Sequence, residues 1–157
     1  MIGASGEGLS SGGYDSLPLE SFNSVFAVSP QHPLARAEEP ISSHEILKHR
    51  AIAVADSSRE LPRRSIGLLD GQHVLTVPNM QCKLEAQILG LGVGYLPLYW
   101  AESAIEKGQL IIKSVQGIKQ STRVHAVWCC GNKGKALHWF VQQLKDKPTQ
   151  EQLFRGR

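Results

Sequence analysis

The alternation of apolar and polar positions along the chain predicts strands and helices that follow one another. The continuous apolar run AIAVA, residues 51–55, has the length of a strand that is covered on both faces. Met80, Leu84 and Ile88 recur every four residues and predict the apolar face of a helix. Further strands are predicted in FNSVFAVSP (22–30), VGYLP (93–97), QLIIKSV (109–115) and RVHAVWCC (123–130). This order indicates an α/β fold with mainly parallel sheets.

The two ends of the chain carry different signals. Residues 3–16 are rich in glycine and serine and predict a loop. Near the other end, KALHWFVQQLKD (135–146) predicts a final helix with one apolar stripe, formed by Ala136, Leu137, Phe140, Val141 and Leu144.

The glycines of GLGVGYLPLYW, residues 90–100, suggest two interpretations, a phosphate-binding loop or a turn. Asn79 suits the N-cap of the helix before them, and Gly90 suits the left-handed position after its last residue. Gly92 and Gly94 thus follow a helix, whereas a phosphate-binding glycine loop precedes one. The glycines therefore indicate a turn into the strand VGYLP.

Composition and charge limit the classes of function. Of 157 residues, 41% are apolar and 20% are charged, which is typical of a globular protein, and no uncharged apolar run reaches the ~20 residues of a membrane-spanning helix. The start, MIGASGEG, has neither a basic segment nor an apolar core, so we expect no signal peptide and a cytoplasmic protein. The formal charge of +3 is small, and we expect that this chain by itself does not bind DNA.

Metal and catalytic signals are weak. The three cysteines include no CxxC pair, and the adjacent Cys129 and Cys130 would point to opposite faces of a strand, so we expect buried free thiols. His44 and His49 are five residues apart and do not share a helical face. No Ser-His-Asp, Cys-His or paired-carboxylate spacing is recognisable, although catalytic groups need only meet in space. We therefore expect neither a metal nor a cofactor.

Two loops are candidates for a ligand site. In parallel α/β sheets, ligands bind beyond the carboxyl ends of strands, near helix N-termini, and DSSR (56–59) and VPNM (77–80) have this position. A helix that begins at Asn79 offers unpaired backbone N–H groups and the positive end of a dipole, which suit a small carboxylate or another polar metabolite. The alternative is that Ser57, Ser58 and Asn79 only cap helices and turns, and it remains equally open.

Several segments together resemble the effector-binding domain of LysR-type transcriptional regulators. These segments are FAVSPQHPLA (26–35), EAQILGLGVGYLP (85–97) and AIEKGQLIIK (104–113), and IGAS near the start resembles the end of a strand of that domain. The most specific features are the His-Pro-Leu-Ala run and the G-x-G-x-x-P pattern of Gly92, Gly94 and Pro97. The resemblance covers nearly the whole chain, up to about Lys147.

The resemblance implies a two-lobed fold like that of type 2 periplasmic binding proteins, with a small-molecule effector in the cleft between the lobes. Residues 1–30 and 119–148 would form the first lobe, which would be incomplete, residues 31–118 the second lobe, and residues 149–157 a C-terminal tail. Family members bind DNA through an N-terminal winged helix-turn-helix, which would be missing here, and their effector-binding domains form homodimers or higher homo-oligomers. No membrane contact is implied.

By position, the resemblance places the effector beside Ala4, Ser5, Ser57, Ser58, Pro78, Asn79 and Met80. The implied function is that of a small-molecule effector-sensing domain of a DNA-binding regulator, and not of an enzyme. The alternative is a solute-binding protein or an enzyme on the same two-lobed fold, since a fold does not fix a function. An enzyme would convert its ligand, whereas a sensor only binds it.

Overall fold

The computed structural model describes residues 2–5, 13–55, 67–117, 121–131 and 134–154. The strands in these residues are β1 (Ile2–Ser5), β2 (Tyr14–Val28), β3 (Ala51–Val54), β4 (Val74–Val77), β5 (Gly94–Pro97), β6 (Ile111–Lys113) and β7 (Ser121–Cys129). The helices are α1 (Ser43–Leu47), α2 (Met80–Ile88), α3 (Leu98–Glu106), α4 (Lys135–Lys145) and α5 (Lys147–Phe154), with a 3-10 helix at Pro33–Arg36. The chain forms two compact units: unit 1 contains Met1–Asn23 and Ser121–Arg157, and unit 2 contains Ser24–Gln120.

Unit 2 contains a sheet built around the last residues of β2. This part of β2 pairs antiparallel with β5, where the ladder ends at Ala27↔Gly94, and pairs antiparallel with β6 on its other side. β3 pairs parallel with β4, and the parallel bridge Ala51↔Val93 joins β3 to the residue before β5. The strand order is therefore β4-β3-β5-β2-β6. The expected parallel arrangement holds for β3 and its neighbours but is wrong for β2, which runs opposite to both strands beside it.

Apolar side chains cover both faces of this sheet. One cluster contains Phe26, Val28, Leu34, Ile41, Ile46, Val93 and Tyr95. The other contains Val25, Ala27, Leu96, Ala101, Ala104 and Leu110, with Met80, Leu84 and Ile88 of α2 packed against it. Alternate residues of β2 enter the two clusters, as the period of two in a strand requires. The predicted strand AIAVA corresponds to β3, whose first three residues are buried. The predicted apolar face of α2 packs on the second cluster.

The connection from α2 to β5 depends on glycine. Gly90 follows α2 with a φ of 71°, in the left-handed region that side chains disfavour. A Cβ on Gly92 would lie 2.5 Å from the backbone oxygen of Arg50 and 3.0 Å from Cγ1 of Ile52, so a side chain there would collide with the neighbouring segment. The prediction that these glycines form a turn after a helix is confirmed.

In unit 1, the described strands form an antiparallel arrangement. β7 pairs with β1 and with the first part of β2, antiparallel in both cases. The expectation of mainly parallel sheets is therefore wrong here. The expectation of a loop over residues 3–16 is also wrong at both ends, since residues 3–5 belong to β1 and residues 14–16 to β2. Pairing with β7 outweighs the weak strand preference of this segment, while residues 6–12 lie outside the described residues.

Helix α4 carries the predicted apolar stripe, but this stripe is only partly covered. No residue of α4 is buried, Leu137, Val141 and Leu144 are half-buried, and Phe140 is 51% exposed. Helix α5 extends over most of the segment that the sequence resemblance treats as a C-terminal tail.

The cysteines differ from expectation. Cys129 and Cys130 are exposed and Cys82 is half-buried, so the expectation of buried thiols is wrong. Cys129 is the last residue of β7 and Cys130 lies in the turn that follows, where the chain leaves the sheet.

The boundary between the two compact units differs from the boundary expected between lobes. The resemblance places residues 24–30 in the first lobe, whereas in the structure they belong to unit 2, where residues 24–28 pair with β5 and β6. The assignment of residues to functional lobes stays a prediction. Within the described ranges, no helix has both the length and the apolar character that crossing a bilayer requires.

Candidate functional site

The junction between β4 and α2 is the described part of the predicted ligand site. Pro78 and Asn79 are exposed, while Met80, the first residue of α2, is half-buried and packs against the core. Asn79 has an extended backbone, and its Oδ1 accepts a hydrogen bond from the backbone N–H of Cys82 at 2.9 Å. The predicted N-cap at Asn79 is confirmed.

The Asn79 cap uses only one of the backbone N–H donors in the first turn of α2. The backbone oxygen of Asn79 accepts from the N–H of Lys83 at 3.1 Å. Among the described residues, no acceptor contacts the backbone N–H of Met80 or of Gln81. These N–H groups lie at the positive end of the helix dipole, so this end of α2 favours an oxygen that carries negative charge.

Lys83, the fourth residue of α2, is buried although it is a lysine. Its exposed fraction is 7%, and no hydrogen bond or ion pair joins it to another described residue. Its Nζ and Cε lie 3.5 Å from the point that a Cβ on Gly94 would occupy, so the end of the side chain packs beside the first residue of β5. Burial lowers the pKa of the Lys83 amine from 10.5 to about 8. The group is therefore mainly protonated at neutral pH.

One turn further along α2, Gln87 joins the helix to the sheet. Its side chain is fully buried, and Nε2 donates to the backbone oxygens of Ala27 at 2.7 Å and of Gly94 at 2.9 Å. Its Oε1 has no hydrogen-bond partner in the described part of the chain. Because Lys83 and Gln87 are four residues apart, both polar side chains lie on the face of α2 that meets the sheet.

Lys113 in β6 is an equally buried lysine with a full set of partners. It is 7% exposed, and its Nζ donates to the backbone oxygens of Ala37 at 2.9 Å and of Ala35 at 3.3 Å. Its Nζ also pairs with Oε1 of Glu39 at 2.7 Å, and this bond holds the pKa of the Glu39 carboxyl below its usual value. Unit 2 can therefore satisfy a buried ammonium group internally, as it does at Lys113, whereas no described residue of unit 2 does so at Lys83.

The structure brings together three of the seven predicted effector residues, namely Pro78, Asn79 and Met80. Ala4 and Ser5 belong to β1 of unit 1, where they pair with β7. Ser57 and Ser58 lie outside the described residues. The effector-binding role of all seven residues stays a prediction.

Sequence analysis did not single out Lys83 or Gln87. They lie three and seven residues after Met80, a spacing that places all three on the same side of a helix. Both are polar residues at positions where a helix that packs on a sheet usually has apolar ones. This pattern could have identified them from the sequence. In the part of the chain that the structure describes, no group of three His, Cys, Asp or Glu side chains could hold a metal ion. The polar groups described on α2 and its cap include backbone amides, the side-chain amides of Asn79 and Gln87, and the ammonium group of Lys83.

Comparison with known proteins identifies the family. The family model "LysR substrate binding domain" matches residues 2–149. The chain is 38% identical over 147 residues to the uncharacterized HTH-type transcriptional regulator YeeY of Escherichia coli, and this match covers 92% of the chain and 47% of YeeY. The chain thus spans about half the length of the curated relatives it matches.

Solved structures show the same fold at low sequence identity. The regulatory domain of MetR, a LysR family regulator from Neisseria meningitidis, superimposes with a TM-score of 0.70 at 17% identity, and the match covers 94% of this chain and 71% of that domain. Full-length LysG from Corynebacterium glutamicum with its bound effector Arg gives a TM-score of 0.62 at 17% identity, covering 96% of this chain and 51% of LysG. The architecture is that of the periplasmic-binding-protein-like regulatory domains. The chain belongs to the LysR substrate-binding domain family, the effector-sensing domain of LysR-type transcriptional regulators.

Proposed function

We propose that this chain binds a small-molecule effector at the β4–α2 junction and thereby controls a DNA-binding regulator of which it is one domain. The observation that carries the proposal is the first turn of α2. The exposed Pro78 and Asn79 precede it, and the backbone N–H groups of Met80 and Gln81 have no described acceptor. The role of Ala4, Ser5, Ser57 and Ser58 in effector binding stays a prediction. DNA would be bound by a winged helix-turn-helix outside this chain, in the cytoplasm.

Effector binding would act by shifting a conformational equilibrium. A ligand can change the population of two arrangements of the regulator only if it binds them with different affinity. No chemical conversion is needed, so we propose that the effector is released unchanged. An enzyme on this fold would instead deplete its ligand.

A thermal-shift screen of the purified chain tests the binding proposal. The compounds are small carboxylates, amino acids, purines, sugars and aromatic acids. A ligand present at one hundred times its dissociation constant adds about 2.7 kcal/mol of stability, which raises the melting temperature by several degrees. NMR spectra of the ligand after incubation with the protein should show no product.

Substitution of one exposed residue localises the site. Pro78→Trp places a bulky side chain at the junction and should abolish the shift given by a hit. Gln109→Trp makes the same change at an exposed position just before β6 and serves as the control. A hit that survives Pro78→Trp unchanged, or that is lost equally in both variants, would contradict the proposed location.

We further propose that the chain forms a homodimer. On α4 and α5 of unit 1, Trp139, Phe140 and Leu153 are 56%, 51% and 55% exposed, an apolar surface that association would cover. Size-exclusion chromatography with light scattering should give twice the mass of the chain. A monomer at high protein concentration would contradict this proposal.

A further inference from the structure

His32 caps the 3-10 helix Pro33–Arg36 with a side-chain nitrogen that can also bind a proton. Its Nδ1 accepts a hydrogen bond from the backbone N–H of Leu34 at 3.2 Å. A neutral imidazole can accept at Nδ1 only when its own proton is on Nε2, whereas both nitrogens of an imidazolium carry protons and neither can accept. Protonation of His32 therefore removes the cap and sets one N–H group against another.

The surroundings of His32 oppose a positive charge on its ring. The residue is 8% exposed, and its ring meets the ring of His49 edge to face, with the two centroids 4.8 Å apart and an angle of 63° between the planes. Burial, followed by the charge of His49, lowers the pKa of His32 from its usual value of 6.5. The closed structure therefore favours the neutral form of His32, the form that caps the helix.

The elements around the two rings carry further charged groups, namely Arg36, Glu39, His44, Glu45, Lys48 and Lys113. Lys113 and Lys48 pair with the two glutamates, and the remaining two groups are exposed. Of these described groups and His49, only His49 contributes to the lowered pKa of His32. The bond from Lys48 lowers the pKa of the Glu45 carboxyl, and the charge of His49 adds to this effect. Glu45 thus stays ionised in mild acid and favours a charge on His49, which disfavours one on His32.

The segment that begins with this helix, residues 33–39, also holds β6. Two backbone oxygens of the segment accept from Nζ of Lys113 at 2.9 and 3.3 Å, and Oε1 of Glu39 pairs with the same Nζ at 2.7 Å. Oε2 of Glu39 accepts from the backbone N–H of Ser114 at 2.6 Å. The bonds that hold β6 at this place therefore depend on the position of a segment whose first turn is capped by His32.

We infer that His32 is an acid-sensitive cap, whose protonation opens residues 33–39 and releases the bonds that this segment makes to β6. The neutral ring keeps the segment closed at pH 7 and above. In the open segment the imidazole is hydrated and has a pKa near 6.5, so the open form binds more protons than the closed form as the pH falls below that value. Acid therefore shifts the equilibrium toward the open form, and a return to neutral pH closes it.

Amide hydrogen exchange, followed by NMR on the whole chain at pH 7.5 and pH 5.5, measures the opening. Each observed rate is divided by the intrinsic rate at the same pH, because intrinsic exchange is itself pH-dependent. The amides of Leu34, Ala35 and Ala37, which are all hydrogen-bonded in the closed segment, should lose protection by about threefold to tenfold at the lower pH. The upper limit is set by a hydrated imidazole with a pKa near 6.5. The amide of Ser114 should follow them, whereas amides bonded within the β2–β5 ladder should keep their protection.

Variants assign the pH dependence to His32. His32→Asn keeps an oxygen that can accept from the N–H of Leu34 but cannot be protonated, so the segment should stay protected at both pH values. His49→Gln removes the neighbouring charge and should weaken the pH dependence without abolishing it. His44→Asn changes an exposed histidine on α1 and should keep the dependence of wild type.

A second measurement depends on no variant. NMR of the histidine side chains in wild type should show His32 with its proton on Nε2 at pH 7.5 and with a titration midpoint below 6.5. A proton on Nδ1, or a midpoint at or above 6.5, overturns the inference. Equal protection of residues 33–39 at the two pH values also overturns it, and so does a loss of protection that is as large in the β2–β5 ladder, because the whole unit would then unfold together.

Discussion

Replacing Lys83 by methionine keeps a long apolar side chain and removes an ammonium group that is buried without a described counter-charge. The pKa of this amine falls from 10.5 to about 8, a difference of about 2.5 units. At about 1.36 kcal/mol per unit, burial of the charged form costs on the order of 3 kcal/mol. We therefore expect Lys83→Met to be more stable than wild type at pH 7, by up to about 3 kcal/mol, or roughly 6 to 12 °C in melting temperature.

The gain in stability should depend on pH in a defined direction. Because the pKa of Lys83 is lower in the folded chain than in the unfolded chain, the unfolded chain binds the additional proton between about pH 8 and 10.5. The destabilisation is fully present below pH 8 and disappears as the pH rises through this range. The stability of wild type should therefore approach that of Lys83→Met near pH 10.

Urea unfolding at pH 7 and pH 10 measures both effects. Lys113→Met is the matched control, because it makes the same substitution at a lysine that is also 7% exposed but fully paired. Loss of the bonds to Nζ of Lys113 should destabilise the chain by about 1 to 3 kcal/mol, the opposite sign. Equal stability of wild type and Lys83→Met at pH 7, or a gain that does not shrink at pH 10, would refute the reasoning.

Substitutions at three further residues test local features. Asn79→Ala should lower the free energy of unfolding by about 1 kcal/mol and Asn79→Ser by much less, since serine also caps; equal urea midpoints for both variants would contradict the role of the cap. Gly92→Ala should cost about 1 to 3 kcal/mol, because its Cβ would meet the backbone oxygen of Arg50; an unchanged calorimetric melting temperature would contradict this contact. Burial and the nearby His49 lower the pKa of His32 from 6.5, so the unfolded chain binds more protons just below pH 6.5 and stability should fall as the pH drops through the lowered pKa. His32→Asn should weaken that dependence, and identical urea-stability profiles between pH 7 and 5 would exclude His32 as its source.

Local signals were sufficient to predict several elements of unit 2. The apolar run AIAVA predicted β3. Asn79 and Gly90 predicted the two ends of α2, and the apolar residues spaced every four positions between them predicted the helix itself. The direction of β2 could not be predicted in the same way, because a strand buried on both faces is continuously apolar whichever way it runs. In unit 1, pairing with β7 creates strands in a segment whose own residues favour a loop.

The site was predictable where it depends on neighbours in sequence. Asn79 could be placed at a helix N-terminus because capping is a local property, and the structure confirms the cap. The burial of Lys83 depends instead on residues that are distant in sequence, among them Gly94, eleven residues later, beside which its ammonium group packs. Such a contact exists only after α2 packs on the sheet, so the pattern of residues within α2 could not reveal it.

The two hydrogen bonds of the Gln87 side chain have a consequence for how unit 2 would respond to a ligand. They attach α2 to the backbones of β2 and β5 at the end of their ladder, so α2 cannot rotate or slide without breaking its bonds to the buried carbonyl oxygen of Ala27 and the partly buried one of Gly94. A force applied at the first turn of α2 is therefore not absorbed by a shift of the helix alone. We expect it to reach the central strands as well, because these two bonds couple the helix to the sheet.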